Sequence, residues 1–326
     1  MEESPLFEER NNLEDFKNAI SKIRKGICEI LVGNAEVADL LVVALLAGGH
    51  VLLEGVPGIA KTLLAKLMAK SLNIPFSRIQ FTPDLMPSDI LGTTIYNLQK
   101  SEFEFKKGPI FSGIVLIDEI NRAPAKTQSS LFEVMEEKQI TMDGHTYPMY
   151  NPFMVLATQN PIEQEGTYRL PEAQLDRFIF KINMKYPDIT EEIEILNREN
   201  QGLLGDNIEK IRPILNAEDI LNFRQKSKLI RTDPSLLDYI AKIVTSTRSH
   251  NSLYLGASPR ASLALLNSSK ALAALNGRDF STPDDIRYLA PFILNHRIMV
   301  SPEREMEGID ADRIIQEIIQ KTEVPR

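Results

Sequence analysis

The segment Gly55-Val-Pro-Gly58-Ile-Ala60-Lys61-Thr62 lies between an apolar run that ends at Glu54 and a helical pattern that begins at Lys61. A glycine-rich turn between a strand and a helix is the setting of a phosphate-binding loop, in which backbone N–H groups and the helix N-terminus surround a phosphate. Lys61 can then reach the β- and γ-phosphate oxygens, and Thr62 can bind Mg²⁺. The alternative is a plain glycine-rich turn before a helix.

One position departs from the usual loop pattern. The residue before the lysine is normally glycine and here is Ala60. We expect alanine to fit if this residue has right-handed helical backbone angles, because only its extra methyl group must then be accommodated. The predicted nucleotide-binding residues of this segment are Gly55, Val56, Pro57, Gly58, Ile59, Ala60, Lys61, Thr62 and Leu63.

Short apolar runs alternate with helical patterns around this loop. The runs cover residues 50–54, 76–82, 113–117, 153–157 and 178–185. Near-continuous apolar strands separated by helices predict an α/β fold with a parallel sheet covered on both faces. After residue 187 helical patterns dominate, so we predict a second, all-helical domain.

Two stretches interrupt this alternation. Residues 93–98 and 102–106 form one strand-like pair, and residues 140–142 and 146–147 form another around Asp143-Gly144. Asp-Gly tolerates positive φ at both positions and is a strong hairpin signal. We predict two hairpins inserted into the α/β core. They either decorate the surface or contact a substrate or partner, and both interpretations remain open.

Composition and charge narrow the possible functions. A net charge of −8 makes the whole chain a poor match for a polyphosphate backbone. The single cysteine, Cys28, excludes an internal disulfide framework and fits a reducing compartment. We find no secretory signal, and the longest apolar run, residues 40–47, is too short to span a bilayer and predicts a buried helix. We therefore expect a cytoplasmic protein without membrane insertion.

A pair of acids ends the apolar run at residues 113–117. In Ile114-Val-Leu-Ile117-Asp118-Glu119, Asp118 can hold Mg²⁺ and Glu119 can polarise an attacking water. An isolated Asp-Glu pair after a strand is more often a helix cap. Because this pair lies downstream of a phosphate loop, we interpret it as catalytic. The second carboxylate favours hydrolysis over phosphoryl transfer to another substrate.

Further segments resemble the MoxR branch of the AAA+ ATPases. Val155-Leu-Ala-Thr158-Gln159-Asn160-Pro161 is similar to the strand and sensor-1 segment, which implies that Asn160 lies beside the γ-phosphate. By itself, Asn-Pro indicates a turn. Leu170-Pro-Glu172-Ala-Gln-Leu175-Asp176-Arg177-Phe178 resembles the signature of this branch, which implies that Arg177 projects into the ATP site of the neighbouring subunit. Without the resemblance, Asp176 and Arg177 would be interpreted as a surface ion pair.

Two other segments extend the resemblance. Gly256-Ala-Ser258-Pro259-Arg260-Ala261 is similar to the sensor-2 motif, which implies that Arg260 reaches the phosphates across the cleft between domains. A basic residue in a first helical turn opposes the helix dipole, which fits a residue placed to meet an anion. Val32-Gly33 matches the region that contacts adenine, although it also has the character of a turn between helices. Segments 79–90, 108–111 and 295–298 match too, so the resemblance covers about residues 26–300.

The resemblance implies a P-loop AAA+ core, a parallel five-stranded sheet with strand order 5-1-4-3-2, and a helical lid. We assign residues 1–25 to an acidic tail and helix, residues 26–187 to the core and residues 188–326 to the lid. The resemblance also implies ATP and Mg²⁺ as cofactors and homo-oligomeric rings, commonly hexamers. The implied activity is chaperone-like remodelling of protein clients, including proteins with von Willebrand factor A domains.

Other functions compete with this hypothesis. A nucleic-acid motor is supported only by Lys106-Lys107 near one hairpin, and the acidic net charge and the lack of aromatic-basic platforms argue against it. A non-hydrolysing, ATP-gated scaffold would lack Glu119, Asn160 or Arg177, and all three are present. A guanine-nucleotide switch is disfavoured because the sequence has no Asn-Lys-x-Asp segment.

Overall fold

The computed structural model describes residues 13–56, 58–160, 168, 170–201 and 211–325. The strands, in chain order, are β1 (His50–Glu54), β2 (Phe76–Gln80), β3 (Gly92–Asn97), β4 (Glu102–Lys107), β5 (Ile114–Asp118), β6 (Gln139–Met142), β7 (His145–Pro148), β8 (Met154–Gln159), β9 (Phe178–Asn183), β10 (Leu253–Leu255) and β11 (Met299–Val300). The helices are α1 (Glu14–Ile30), α2 (Ala35–Ala47), α3 (Lys61–Ser71), α4 (Pro87–Leu91), α5 (Ala125–Glu137), α6 (Glu172–Leu175), α7 (Ile189–Asn200), α8 (Ala217–Lys228), α9 (Pro234–Arg248), α10 (Pro259–Leu275), α11 (Pro283–Leu294), α12 (Pro302–Met306) and α13 (Ala311–Lys321).

The central sheet is parallel and has the order β2-β5-β8-β1-β9. When these strands are numbered one to five along the chain, the order is 5-1-4-3-2, which confirms the prediction. Val51 of β1 lies beside Leu156 of β8, and Leu156 lies beside Leu116 of β5. The carboxyl ends of these three strands therefore meet at one edge of the sheet, where the loop after β1 and the acids after β5 both begin.

Both faces of the sheet centre are buried because alternate residues of the inner strands enter different cores. Val51 and Leu53 of β1 belong to the core that includes α2, α3 and α10, whereas Leu52 belongs to the core that includes α5. Val115 and Ile117 of β5 also lie on the α5 side. Each such fully buried side chain contributes about 1.5–3 kcal/mol through the apolar area removed from water. The inner strands β1, β5 and β8 therefore need to be apolar along most of their length.

The two predicted hairpins are confirmed, and they contact each other. β3 pairs with β4 and β6 pairs with β7, both antiparallel. Asp143 and Gly144 have φ values of 51° and 78°, as expected for a tight turn that needs positive φ at both positions. The hydroxyl of Thr94 donates to the Asp143 carboxylate, and the rings of Phe105 and Tyr147 lie 4.6 Å apart between centroids.

The C-terminal region from α7 to α13 is helical, as predicted. It also contains a two-stranded antiparallel sheet of β10 and β11, in which Leu253 lies beside Val300. The sequence did not predict this sheet because strands of three and two residues are too short to show an alternating pattern.

Helices α1 and α2 connect the sheet to this C-terminal region. The rings of Phe16 in α1 and Phe223 in α8 have centroids 4.2 Å apart, and Arg224 donates to the carbonyl of Leu45 in α2. Helix α2 is the buried helix predicted from residues 40–47. The domain boundaries at residues 26 and 188 stay predictions. In the described parts of the chain, no helix is both long and apolar enough to cross a membrane.

Candidate nucleotide site

The phosphate loop follows β1 directly. It leaves the strand at Gly55, whose N–H donates to the carbonyl of Gln159 at 3.2 Å, and α3 begins at Lys61. Gly58 has a φ of 89°, which glycine adopts without steric cost. Pro57 lies outside the described residues. Strand, turn and helix N-terminus therefore follow one another as a phosphate loop requires.

Ala60, the residue before Lys61, has a left-handed backbone, with φ 59° and ψ 28°. The expectation of right-handed angles is therefore wrong. The chain turns sharply between Gly58 and the first turn of α3, and a positive φ at this position completes the turn. Left-handed angles cost an L-residue about 1–2 kcal/mol because its Cβ approaches the carbonyl oxygen. The loop thus holds a strained residue next to its lysine.

The lysine lies against its own loop. Lys61 Nζ donates to the Gly55 carbonyl at 2.5 Å. Thr62 and Leu63 are half-buried in the first turn of α3. Because the positive end of a helix dipole also faces this loop, an anion bound here would compete with the Gly55 carbonyl for the ammonium group.

Asp118 is buried at the end of β5 and is held from both sides. Its Oδ1 accepts a hydrogen bond from Thr158 Oγ1 at 3.2 Å, and its Oδ2 accepts one from Arg78 Nε at 2.6 Å. Thr158 belongs to β8 and Arg78 to β2, the strands on either side of β5. These contacts fix a carboxylate beside the phosphate loop.

Glu119 has left-handed angles, with φ 58° and ψ 54°. Its N–H donates to Thr158 Oγ1 at 3.0 Å, so one hydroxyl contacts both members of the acidic pair. Its Oε2 accepts from Gln80 Nε2 at 2.8 Å and lies 3.0 Å from Arg122 Nε. Strained non-glycine residues cluster at functional sites, which supports the interpretation of this acid as functional.

Sequence reasoning missed Arg78 and Gln80 as partners of the two acids. They are two residues apart on β2, so they share one face of the strand, and the register places Gln80 beside Asp118. The alternation was visible in the sequence. It became informative only once β2 was known to lie next to β5.

Asn160 follows β8 and is buried. Since β8 lies between β1 and β5, the topology places Asn160 between the phosphate loop and the acidic pair. The resemblance implies the same position for a residue that senses the γ-phosphate. Pro161, which completes the quoted motif, lies outside the described residues.

A cavity of about 660 Å³ opens beside the loop. This volume is typical of small-molecule sites. Its walls include loop residues, the turn after α1 and lid residues from α11, among them Val32, Gly33, Gly58, Ile59, Ala60, Leu63, Phe292 and Asn295. The segment Val32-Gly33, which matches the adenine-contact region, therefore lines the same cavity as the phosphate loop.

Gly33 is required by both its backbone and its surroundings. It has a φ of 79°, and a Cβ atom built on it would lie 2.6 Å from Glu191 Oε1. Glu191 is in the first turn of α7, where its Oε2 also accepts from the N–H of Asp188. A side chain at this position would need strained, positive-φ backbone angles and a shift of the Glu191 carboxylate, which lines the cavity.

The two predicted arginines are brought together, but not in this cavity. Arg177 Nη1 donates to the Phe132 carbonyl at 2.9 Å and lies 3.1 Å from Glu136 Oε2. Arg260 Nη2 lies 2.8 Å from Glu136 Oε1. Neither arginine is among the described residues that line the cavity. One carboxylate on α5 therefore holds both arginines in the same chain.

The residues present fit a magnesium–nucleotide complex. In the described ranges, no group of three or more His, Cys, Asp or Glu side chains could enclose a metal ion. Mg²⁺ in nucleotide sites is usually bound through one or two carboxylates together with phosphate oxygens and waters. Asp118 and Thr62 offer oxygen ligands of this kind.

The chain is similar to known proteins over almost all of its length. Residues 50–180 match the ATPase family associated with various cellular activities (AAA), and residues 245–318 match the AAA lid domain. Chaperone MoxR1 of Mycobacterium tuberculosis is 42% identical over 320 residues, covering 95% of this chain and 82% of that protein. The uncharacterized protein YeaC of Bacillus subtilis is 49% identical over 312 residues, covering 96% of this chain and 97% of that protein. A crystal structure from Cytophaga hutchinsonii, provisionally described as an ATPase, matches with a TM-score of 0.89 at 43% identity, covering 96% of this chain and 97% of that one.

Proposed function

The chain belongs to the MoxR family of AAA+ ATPases, and on this premise we propose that it hydrolyses ATP in a site completed by a neighbouring subunit. One observation carries the proposal. The loop lysine and the two acids gather at one edge of the sheet beside the cavity, whereas Arg177 and Arg260 share Glu136 elsewhere. Phosphoryl transfer needs positive charge at the γ-phosphate. A second copy arranged head to tail would supply it.

ATP binds with its base in the cavity beside Val32-Gly33 and its phosphates at the loop. Lys61 then exchanges the neutral Gly55 carbonyl for phosphate oxygens. Charge-assisted hydrogen bonds are roughly twice as strong as neutral ones, so the exchange favours the bound state.

Hydrolysis uses the acids and Asn160. Asp118 and Thr62 would hold Mg²⁺, which would neutralise charge on the phosphates. Glu119 leaves Gln80 and polarises the attacking water, which Asn160 helps to orient. A positioned general base contributes about 10²–10⁴-fold to the rate.

Arg177 acts on the ATP of the next subunit, and its position beside Arg260 supports a trans role for both. An arginine supplied by a partner contributes about 10³–10⁵-fold in comparable phosphoryl transfers. A head-to-tail contact forms a ring when its rotation closes, and we propose a hexamer as the closed form.

The two hairpins are the proposed contact with a protein client. Ile95, Tyr96, Leu98 and Phe103 are exposed on the hairpin of β3 and β4, and the rings of Tyr96 and Phe103 lie 5.2 Å apart. Clustered exposed apolar side chains favour a protein-interaction surface. We propose chaperone-like remodelling of clients in the cytoplasm, including proteins with von Willebrand factor A domains.

Mixing of inactive variants tests the composite site. Lys61→Ala subunits cannot bind ATP but offer Arg177, and Arg177→Ala subunits bind ATP but lack that arginine. The two variants are inactive alone, and we expect a mixture to regain ATPase activity because the two halves combine.

A matched control uses Lys61→Ala with Glu119→Gln. Lysine and glutamate act in the same chain, so this mixture contains no complete site and should stay inactive. If the first mixture also stays inactive although differently tagged subunits co-purify, the trans role of Arg177 is refuted.

A further inference from the structure

Arg297 is a buried guanidinium group just after α11, with 3% of its side chain exposed. Its Nε donates to Asp176 Oδ1 at 2.7 Å, and its Nη2 donates to the carbonyls of Asp176 at 3.2 Å and Phe178 at 2.6 Å. Its Nη1 donates to the carbonyls of Ile179 and Ile293. The guanidinium therefore contacts the chain immediately before and immediately after residue 177.

Asp176 receives a second contact from the lid. Its Oδ2 accepts a hydrogen bond from Ser258 Oγ at 2.9 Å. The same Ser258 oxygen accepts from the N–H of Arg260 at 3.2 Å and so begins α10. The Asp176 carboxylate thus contacts two parts of the lid, the start of α10 and the segment after α11. Arg177 is the next residue in the chain.

The neighbouring histidine adds to this attachment. His296 is buried, and its Nε2 lies 2.9 Å from the Phe178 carbonyl. Burial lowers the pKa of His296, which keeps the ring neutral. We name the set Asp176, Ser258, His296 and Arg297 the finger clamp.

A buried ion pair is weak evidence for stability, because desolvation of both charges offsets much of their attraction. Burial lowers the pKa of Arg297, and the neighbouring Asp176 carboxylate opposes that shift. Such a pair is best explained by the geometry that it enforces. Here the enforced geometry is the backbone that carries Arg177.

We propose that Arg297, acting through Asp176, is a positioning residue that directs Arg177 toward the ATP site of the neighbouring subunit. The proposal rests on the composite site proposed above. A positional error of about 1 Å in a catalytic group can cost about 10²-fold in rate. Loss of the clamp should therefore reduce turnover at the neighbouring site and leave the affinity of a subunit for its own ATP unchanged.

Asp176→Asn isolates this effect. The amide keeps the shape of the carboxylate but replaces one acceptor oxygen by an NH₂ group, which cannot accept from Arg297 or Ser258. The substitution is placed either in the subunit that donates the arginine, together with Lys61→Ala, or in the subunit that provides the ATP site, together with Arg177→Ala. The variant with Lys61→Ala is mixed with Arg177→Ala subunits, and the variant with Arg177→Ala is mixed with Lys61→Ala subunits. The reference mixture contains the two single variants, Lys61→Ala and Arg177→Ala.

We expect at least a tenfold loss of kcat when Asp176→Asn lies in the arginine donor, with KM for ATP within twofold of the reference mixture. When Asp176→Asn lies in the subunit that provides the ATP site, the activity should stay within twofold of that of the reference mixture. Equal losses in both placements would show a purely structural role and overturn the proposal, as would full activity in the arginine donor. An inactive reference mixture would instead refute the trans role of Arg177, and the positioning role with it.

A partly buried ion pair in the lid supplies the control for lost stability. Arg278 Nη2 lies 2.6 Å from the buried Asp285 Oδ1, away from the finger clamp. Asp285→Asn should lower the thermal midpoint and should change the activity of the mixture equally in the two placements. If Asp176→Asn shows the same pattern as Asp285→Asn, the proposal fails.

Graded substitution of Arg297 in the arginine donor is the remaining check. Lysine keeps a charge beside Asp176, but its three donors lie on one nitrogen and cannot replace the five contacts of the planar guanidinium, whereas glutamine loses the charge. We expect turnover to decrease in the order arginine, lysine, glutamine. Unchanged kcat for Arg297→Gln in a folded protein would overturn the proposal.

Discussion

Substitution of Ala60 by glycine should stabilise the nucleotide-free protein. The left-handed backbone at this position, φ 59° and ψ 28°, costs alanine about 1–2 kcal/mol that glycine avoids. Glycine also gives the unfolded chain more freedom, which offsets about 0.4–1 kcal/mol of this gain. The expected net increase in the free energy of unfolding is about 0.5–1 kcal/mol. For a chain of this size, that corresponds to a rise of about 1–3 °C in the thermal midpoint.

Thermal unfolding without nucleotide measures this effect, and Ala241→Gly is the matched control. Ala241 is exposed in the interior of α9, where the same substitution should destabilise the protein by about 1 kcal/mol. The two variants should therefore shift the midpoint in opposite directions. A decrease for Ala60→Gly similar to that for Ala241→Gly would refute the left-handed conformation of the loop.

Three further predictions concern the acid, the cavity and pH. Glu119→Gln should bind ATP with unchanged affinity in a nucleotide titration but turn over about 10²–10⁴-fold more slowly, and wild-type turnover would exclude it as the base. Gly33→Ala should weaken ATP binding because its Cβ meets the α7 carboxylate at 2.6 Å, whereas Gly308→Ala, with a φ of 76° and no atom within 4 Å of its Cβ, should only lower stability. Burial lowers the pKa of His50 to about 4, so the unfolded state, with a pKa near 6.5, binds the proton first. The stabilisation that neutral His50 gives is complete above about pH 6.5 and is lost as pH falls toward 4; His50→Asn should flatten this decline of the thermal midpoint, and the exposed His145→Asn should not.

The sequence predicted the sheet well because its strands carry two signals at once. Val51, Leu52 and Leu53 are all apolar, as a strand buried on both faces requires, and the loop that follows them marks the carboxyl end of β1. Strand order came from the resemblance, since periodicity alone does not specify which strands are neighbours.

The missing parts of the site depend on contacts between distant segments. Arg78 and Asp118 are forty residues apart, and their 2.6 Å contact follows only from the β2–β5 register. Glu136 contacts both Arg177, 41 residues further along the chain, and Arg260, 124 residues further along. No local pattern of charge or hydrophobicity encodes such a bridge. The backbone of Ala60 escaped prediction for the opposite reason, because local propensity favours right-handed angles and the sharp turn after Gly58 overrides it.

The contacts of the arginines differ in how easily an ATP complex could replace them. Arg177 and Arg260 are 29% and 48% exposed where they meet Glu136, and exposed ion pairs of this kind contribute about 0–1 kcal/mol. A triphosphate in a neighbouring site carries several charges and could displace that carboxylate. Arg297 is 3% exposed, and removal of one member of a buried pair typically costs about 3–5 kcal/mol. The structure thus combines exchangeable contacts at the arginines that would meet phosphate with fixed contacts directly behind one of them. This difference would let Arg177 change partners while the backbone that directs it stays in place.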